Sequence, residues 1–314
     1  MKATCFTFLS VNMKRVPAIL FLFFLYIGIS GSIHKSTMHS TEREVKLKMT
    51  FKVNVSGHVK SLRLKMVIPA NIKGKQTIDE LSFSIEPDSF YTTNNNSYVL
   101  FKFYDVEEDF KIILKSRITI YNTINTSADT SKTDFSKYLI SESNIEASSE
   151  KIIAVAESLK RKTDIETIVE TFDYVKKHIS YKIKPAIGAE KVLETGVGKC
   201  MDFSDLFVAL LRANKIPAKS VFGIVVNEIS ANPLHAWSEA YLKKQGWVRF
   251  DATSGHSDIR KEGPDYKMRL SNKYVTLSEG RNDPEMRTSL FRYRYIISGT
   301  GSVNIKHNVE INGQ

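Results

Sequence analysis

Between residues 45 and 55 the chain reads Val-Lys-Leu-Lys-Met-Thr-Phe-Lys-Val-Asn-Val, apolar and polar in strict alternation, the pattern of a strand with one buried face. Further strand-like runs follow at 62–68, 81–85, 98–104 and 110–121. Turn-forming clusters separate them at 71–74 and 92–97, and Pro69 and Pro87 stand near two of the run ends. Short strands punctuated by turns at this spacing predict an antiparallel β-sandwich over residues 40–125.

Residues 126–145 are poor in large apolar side chains and read as a connection. After it the period changes to that of a helix. Ile152, Val155, Ala156 and Leu159 share one face, and Ile165, Ile168, Val169, Phe172 and Val175 share another. Asp164 is placed to cap the second helix, although Thr167 stands where a glutamate would complete a capping box. A third helix is expected from Cys200, since Phe203, Leu206, Phe207, Leu210 and Leu211 form an apolar stripe and Asp202 and Asp205 fall in its first turn. Strands are then expected at 220–226, 235–242 and 247–251. The remainder, with strand-like runs at 274–277, 290–297 and 303–311, reads as part of the same domain; those runs either extend its sheet or return to the sandwich. The predicted class is α+β, with residues 146–314 as the second domain.

The first 32 residues have a different character. Lys14 and Arg15 precede an unbroken apolar run from Ala18 to Ile29, and the small residues Ser30, Gly31 and Ser32 follow it. Charge, short apolar run and small-residue site make a secretory signal peptide, so the protein is expected to be exported, periplasmic or extracellular. The run is shorter than the roughly 20 apolar residues of a spanning helix, and an uncleaved membrane anchor is the lesser alternative. Removing this segment lowers the net charge from +11 to +8, because it holds Lys2, Lys14 and Arg15 and no acid. That positive charge is spread along the chain without a block, so no nucleic-acid surface is expected, while an anionic cell-envelope partner stays open.

Cys5 lies in the same segment, which leaves Cys200 as the one thiol of the mature chain and rules out an internal disulfide framework. Gly196 and Gly198 lead into it, and its place at a helix start suits a nucleophile, since the free N–H groups there lower a thiol's pKa and can donate to an oxyanion. His235 and Asp251 lie on consecutive strands. An odd-length loop between those strands puts them on one face, and an even one puts them on opposite faces. Cysteine, imidazole and carboxylate are the groups of a cysteine nucleophile with its base and orienting acid. A single cysteine with scattered histidines offers no zinc-site spacing, so no metal or other cofactor is expected.

The motifs Gly-Val-Gly-Lys-Cys200-Met-Asp-Phe-Ser-Asp-Leu, His235-Ala-Trp-Ser-Glu-Ala-Tyr and Trp247-Val-Arg-Phe-Asp251-Ala-Thr, preceded by Ser180-Tyr181, resemble the core of the transglutaminase-like superfamily over residues 150–254. The resemblance implies a papain-like fold in which a helix headed by the cysteine packs on an antiparallel sheet carrying the other two residues. It also implies roles: Cys200 as nucleophile, His235 as general base and then acid, and Asp251 as the group orienting the imidazole. Tyr181 is the candidate second oxyanion donor beside the Cys200 backbone N–H, with a packed aromatic as its alternative. Trp237, Glu239 and Arg212 are read as structural. The implied chemistry is acyl transfer through a thioester on a protein or peptide substrate. Hydrolysis is the favoured outcome; cross-linking and a non-catalytic envelope-binding protein that keeps the fold are the alternatives. Calcium dependence is left open.

Overall fold

The alternation that marks residues 45–55 becomes strand β1 (Arg43–Ser56), with Val45, Leu47, Met49, Phe51 and Val53 all buried. β2 (Val59–Ile68), β3 (Gln76–Phe83), β4 (Ser89–Thr93), β5 (Asn96–Val106) and β6 (Phe110–Ile120) follow. This computed structural model describes residues 42–122, 134–226, 233–268, 270–287 and 290–313. The expected signal peptide, and the expected connection before residue 134, lie outside the described residues.

Helices α1 (Glu150–Leu159) and α2 (Asp164–His178) come next, then β7 (Ser180–Tyr181), α3 (Ala189–Thr195), β8 (Val197–Gly198) and α4 (Cys200–Ala213). The expected cap of α2 falls one residue early. Thr163, not Asp164, is the N-cap, and it shares a capping box with Glu166, whose Oε2 accepts from the Thr163 N–H at 2.9 Å. Strands β9 (Ala218–Val225), β10 (Leu234–Leu242) and β11 (Gly246–Asp251) are followed by the short β12 (His256–Ser257), β13 (Ile259–Glu262) and β14 (Asp265–Met268), then by β15 (Tyr274–Glu279), β16 (Tyr293–Gly299) and β17 (Ser302–Gly313).

Among the described residues the strands assemble into two four-stranded sheets, ordered β17-β1-β6-β3 and β16-β2-β5-β4, a five-stranded sheet ordered β12-β11-β10-β9-β15, and the two-stranded pairs β7-β8 and β13-β14. The first two are the sandwich, and the third carries the helices, so the chain is α+β with an all-β sandwich. The last two strands, β16 and β17, do not join the sheet of the second domain: they pair with β2 and β1. Of the two placements the sequence leaves open for residues 293–313 within the second domain's span, extending its sheet or returning to the sandwich, their hydrogen bonds take the second. A period-two pattern specifies which face is buried but not which neighbour supplies the hydrogen bonds.

β1 and β2 lie in different sheets, and so do β16 and β17, so two tight connections cross between layers at one corner. Gly57 has φ +72°, and a Cβ on it would lie 3.3 Å from the Gly301 Cα. The Gly301 N–H donates to the His58 carbonyl at 2.8 Å. Glycine is needed where both backbones approach this closely.

α4 is buried over its whole length from Met201 to Arg212. One side packs on β9 and β10 and the other on α1, α2 and α3, which explains a helix more apolar than a surface one. The sandwich and the core share a single apolar cluster, in which Leu62, Met66 and Phe101 continue into Met201, Phe222, Ile224 and Val275. Among the described residues no helix is long and apolar enough to cross a membrane.

Buried polar groups complete that junction. β15 is an edge strand of the core sheet, and two amide side chains of the sandwich hydrogen-bond its backbone. Gln76 donates to the Thr276 carbonyl at 2.9 Å and accepts from the Thr276 N–H at 2.8 Å. Asn96 does the same to Glu279, at 3.0 and 2.8 Å. Lys75 also reaches across to pair with the buried Glu239. Gln76→Ala leaves the N–H and carbonyl of a buried residue without partners, a loss of about 2–4 kcal/mol. Urea unfolding should show that loss as a lower midpoint at unchanged slope.

Candidate active site

The site begins with the loop before α4. β7 and β8 form a short parallel pair, and the Lys182 N–H donates to the Gly198 carbonyl at 2.8 Å, which fixes the approach to Cys200. Asp202, fully buried, holds the turn from inside: its Oδ2 accepts from the Lys199 N–H and its Oδ1 from the Ile187 N–H, both at 2.9 Å. Gly198 sits so close to this carboxylate that a Cβ would lie 2.6 Å from the Asp202 Cβ. Cys200 is therefore the first residue of α4, half-buried, with a free thiol beside the N–H groups of the first helical turn.

His235 and Asp251 are set by the β10–β11 hairpin. Leu242 pairs with Gly246, so residues 243–245 form a loop of three, an odd number, and the two side chains share a face. His235 Nε2 lies 2.8 Å from Asp251 Oδ2. The carboxylate is buried, and 18% of the imidazole side chain is exposed. On β9 the residue paired with His235 is Gly223, where a Cβ would lie 2.0 Å from the Val275 carbonyl oxygen and 2.7 Å from the Trp237 ring. The sheet is bare there so that the tryptophan can cross it.

The electrostatics follow from these contacts. Burial alone would lower the His235 pKa. The hydrogen bonds to Asp251 and to the Cys200 side chain, with the negative charge of each, overcome that and push it up to about 10. With Nε2 committed to Asp251, Nδ1 is the nitrogen left for the sulfur. Burial would raise the Asp251 carboxyl, yet the imidazole and Ser254, whose N–H donates to Oδ1 at 3.2 Å, hold it below its ordinary value. Tyr181 flanks the cysteine, 54% exposed, with its ring 6.4 Å from that of Phe203. Burial and the charge on Cys200 raise its pKa, so the phenol keeps its proton.

The structure thus brings Cys200, His235 and Asp251 together and sets Tyr181 at their rim. Trp237, Glu239 and Arg212 are nearly inaccessible. Arg212 donates to the Ala218 and Ile140 carbonyls at 2.9 and 2.6 Å. Burial would raise the Glu239 carboxyl, and the ammonium groups of Lys75 and Lys219 hold it down at about 2. Two contributors escape a reading of the sequence alone. Asp202 looks there like an ordinary first-turn acid, and the Tyr274 hydroxyl, 3.0 Å from Asp251 Oδ2, comes from a strand 23 residues away. A cavity of about 770 Å³ opens at the junction with the sandwich, lined by Lys75, Lys219, Glu239, Trp247 and Arg249 and by none of the three central residues. Among the described residues no group of three or more His, Cys, Asp or Glu is arranged to hold a metal ion.

Residues 153–252 match the family model of the transglutaminase-like superfamily. Over 80 residues the chain is 35% identical to the uncharacterized protein YebA of Bacillus subtilis strain 168, covering 21% of this chain and 11% of that one. Over 107 residues it is 36% identical to an uncharacterized protein of Haemophilus influenzae, covering 27% and 26%. The chain thus spans about a tenth and about a quarter of these relatives. The crystal structure at 1.9 Å of a cysteine protease candidate from Cytophaga hutchinsonii superposes with a TM-score of 0.61 at 19% identity, over 87% of this chain and 91% of that one, so the fold is shared across sandwich and core. The core of this chain, residues 153–252, is thus transglutaminase-like in sequence and sits on a fold shared with that structure.

Proposed function

We propose that this protein is an exported cysteine-dependent enzyme that hydrolyses amide bonds in proteins or peptides. Cys200 is the nucleophile, His235 the general base and then acid, and Asp251 the group that orients the imidazole. The observation that carries this reading is the imidazole held between a half-buried thiol and a buried carboxylate 2.8 Å from its Nε2. An imidazolium in that position is the partner a thiolate needs.

In the proposed reaction the sulfur adds to the amide carbon, and the carbonyl electrons move onto oxygen. The Cys200 backbone N–H donates to that oxyanion, with the Tyr181 hydroxyl as the second donor. Collapse breaks the carbon–nitrogen bond, and the amine leaves with the proton from His235. Water then gives a proton to His235 and adds to the thioester carbon, and the sulfur departs as thiolate. The basic, apolar amino-terminal segment supports export, and a single thiol in the mature chain is compatible with an oxidising compartment.

Iodoacetamide at mildly acidic pH tests the pair directly. Cys200 in the folded protein should be alkylated at least tenfold faster than free cysteine, and His235→Ala should remove that advantage. Labelling no faster than free cysteine sinks the enzymatic reading in favour of a fold-keeping, non-catalytic envelope-binding protein. Peptides released by the wild type and not by Cys200→Ala support hydrolysis; incorporation of a labelled primary amine without such release supports cross-linking instead.

The raised imidazole pKa also enters stability. His235 binds its proton more tightly folded, at about 10, than at its ordinary 6.5. The resulting stabilisation is complete below pH 6.5 and fades as pH rises through 10. Urea unfolding of the wild type and of Asp251→Asn should differ most just below pH 6.5, and the gap should narrow as pH rises from 6.5 through 10. A gap of constant size across that range would show that the imidazole proton contributes nothing.

A further inference from the structure

Tyr274 starts β15, the far edge of the core sheet, yet its hydroxyl donates to Asp251 on β11 at 3.0 Å. Two strands lie between, so in a flat sheet their backbones would be about 14 Å apart, three spacings of about 4.8 Å. Curling of the sheet and the length of the side chain close that distance. The ring is 6% exposed and is held on three sides: by Trp237 at 5.0 Å edge to face, by His256 stacked at 5.7 Å, and by the Arg249 guanidinium 4.3 Å from its centroid. A phenylalanine would fill the same space, so packing alone does not account for the hydroxyl.

That hydroxyl meets the same oxygen, Oδ2, that faces His235 Nε2 at 2.8 Å, while Ser254 takes Oδ1. The carboxylate is thereby held from both of its oxygens. The strand that delivers the tyrosine is itself fixed, since Gln76 and Asn96 occupy the backbone groups of Thr276 and Glu279 on its free edge. We propose that Tyr274 is a positioning residue whose hydroxyl fixes the Asp251 carboxylate against the imidazole of His235. This rests on the role given to Asp251 under the proposed function and adds to it a fourth residue that acts through the third. The ionisable groups facing this cluster are Cys200 from α4, Arg249 from β11, His256 from β12 and Tyr181 at the rim.

Tyr274→Phe keeps the ring and removes only the donor. Its effect is read from two pH profiles: alkylation of Cys200 by iodoacetamide, and titration of the His235 nitrogens followed by ¹⁵N NMR. A carboxylate less well held stabilises the imidazolium less, so the His235 titration should move down by about one pH unit, and the alkaline limb of the alkylation profile should move down with it. A titration that stays in place or moves up overturns the proposal. Should the variant not fold, 3,5-difluorotyrosine at position 274, close in size and a stronger donor, must still displace the His235 titration, and an unmoved one overturns the proposal equally. Asp251→Asn run in parallel separates the two readings. If it leaves the alkylation profile unchanged, the proposed function itself fails; if it displaces the profile while Tyr274→Phe does not, only the positioning role fails.

Discussion

The free edge of β15 is the constraint on which the arrangement turns. An edge strand presents N–H and carbonyl groups that must find partners once they are buried. Here the partners are two amide side chains of the sandwich, Gln76 and Asn96, each hydrogen-bonding both backbone groups of one residue. An amide is suited to this because it carries a donor and an acceptor side by side, as a strand residue does. The sandwich thus completes the hydrogen bonding of the core sheet, and a chain of contacts runs from it through β15 and Tyr274 to Asp251, His235 and Cys200.

The two faces of the core sheet divide the work. One is apolar, with Ala218, Ala240, Val248 and Phe250 packed in the cluster that holds α4. The other carries Lys219, Glu239, Arg249 and Asp251, charges that are costly to bury unless each is paired. Lys75 and Glu279 pair with Glu239 and Lys219, and Asp258 lies 3.7 Å from Arg249. Asp251 belongs to this row, but its partners are an imidazole, a phenol and a backbone N–H. It is the member of the row whose charge faces an imidazole, and it helps that ring keep its proton well above neutral pH.

Much of this was legible in the residues. The alternation in β1, the stripe of α4 and the start of that helix at Cys200 follow from period and turn chemistry, and the loop between β10 and β11 decides the common face of His235 and Asp251 by its parity. What the sequence concealed was of another kind. β4 is a polar strand of five residues, Ser-Phe-Tyr-Thr-Thr, with no clean alternation between buried and exposed positions to announce it. The cap of α2 was misassigned because Asp164 and Thr163 are both good caps, and only the reach of Glu166 separates them. Strands β16 and β17 declare a buried face and no partner. Tyr274 reads as an ordinary strand aromatic, because its meaning lies in a sheet curl that no local pattern encodes.

The pairing of β17 with β1 has a consequence for how the molecule is assembled. Lys48 on the first strand meets Glu310 on the last across 262 positions of sequence. Everything from α1 to β15 is therefore, in topological terms, a long insert between two halves of one sandwich. Such remote pairings carry a high loop-closure cost and slow folding. β17, the outer strand of the sheet that carries Gln76, lies beyond every residue around Cys200 in the sequence, so that sheet is completed only by a segment that follows the entire core.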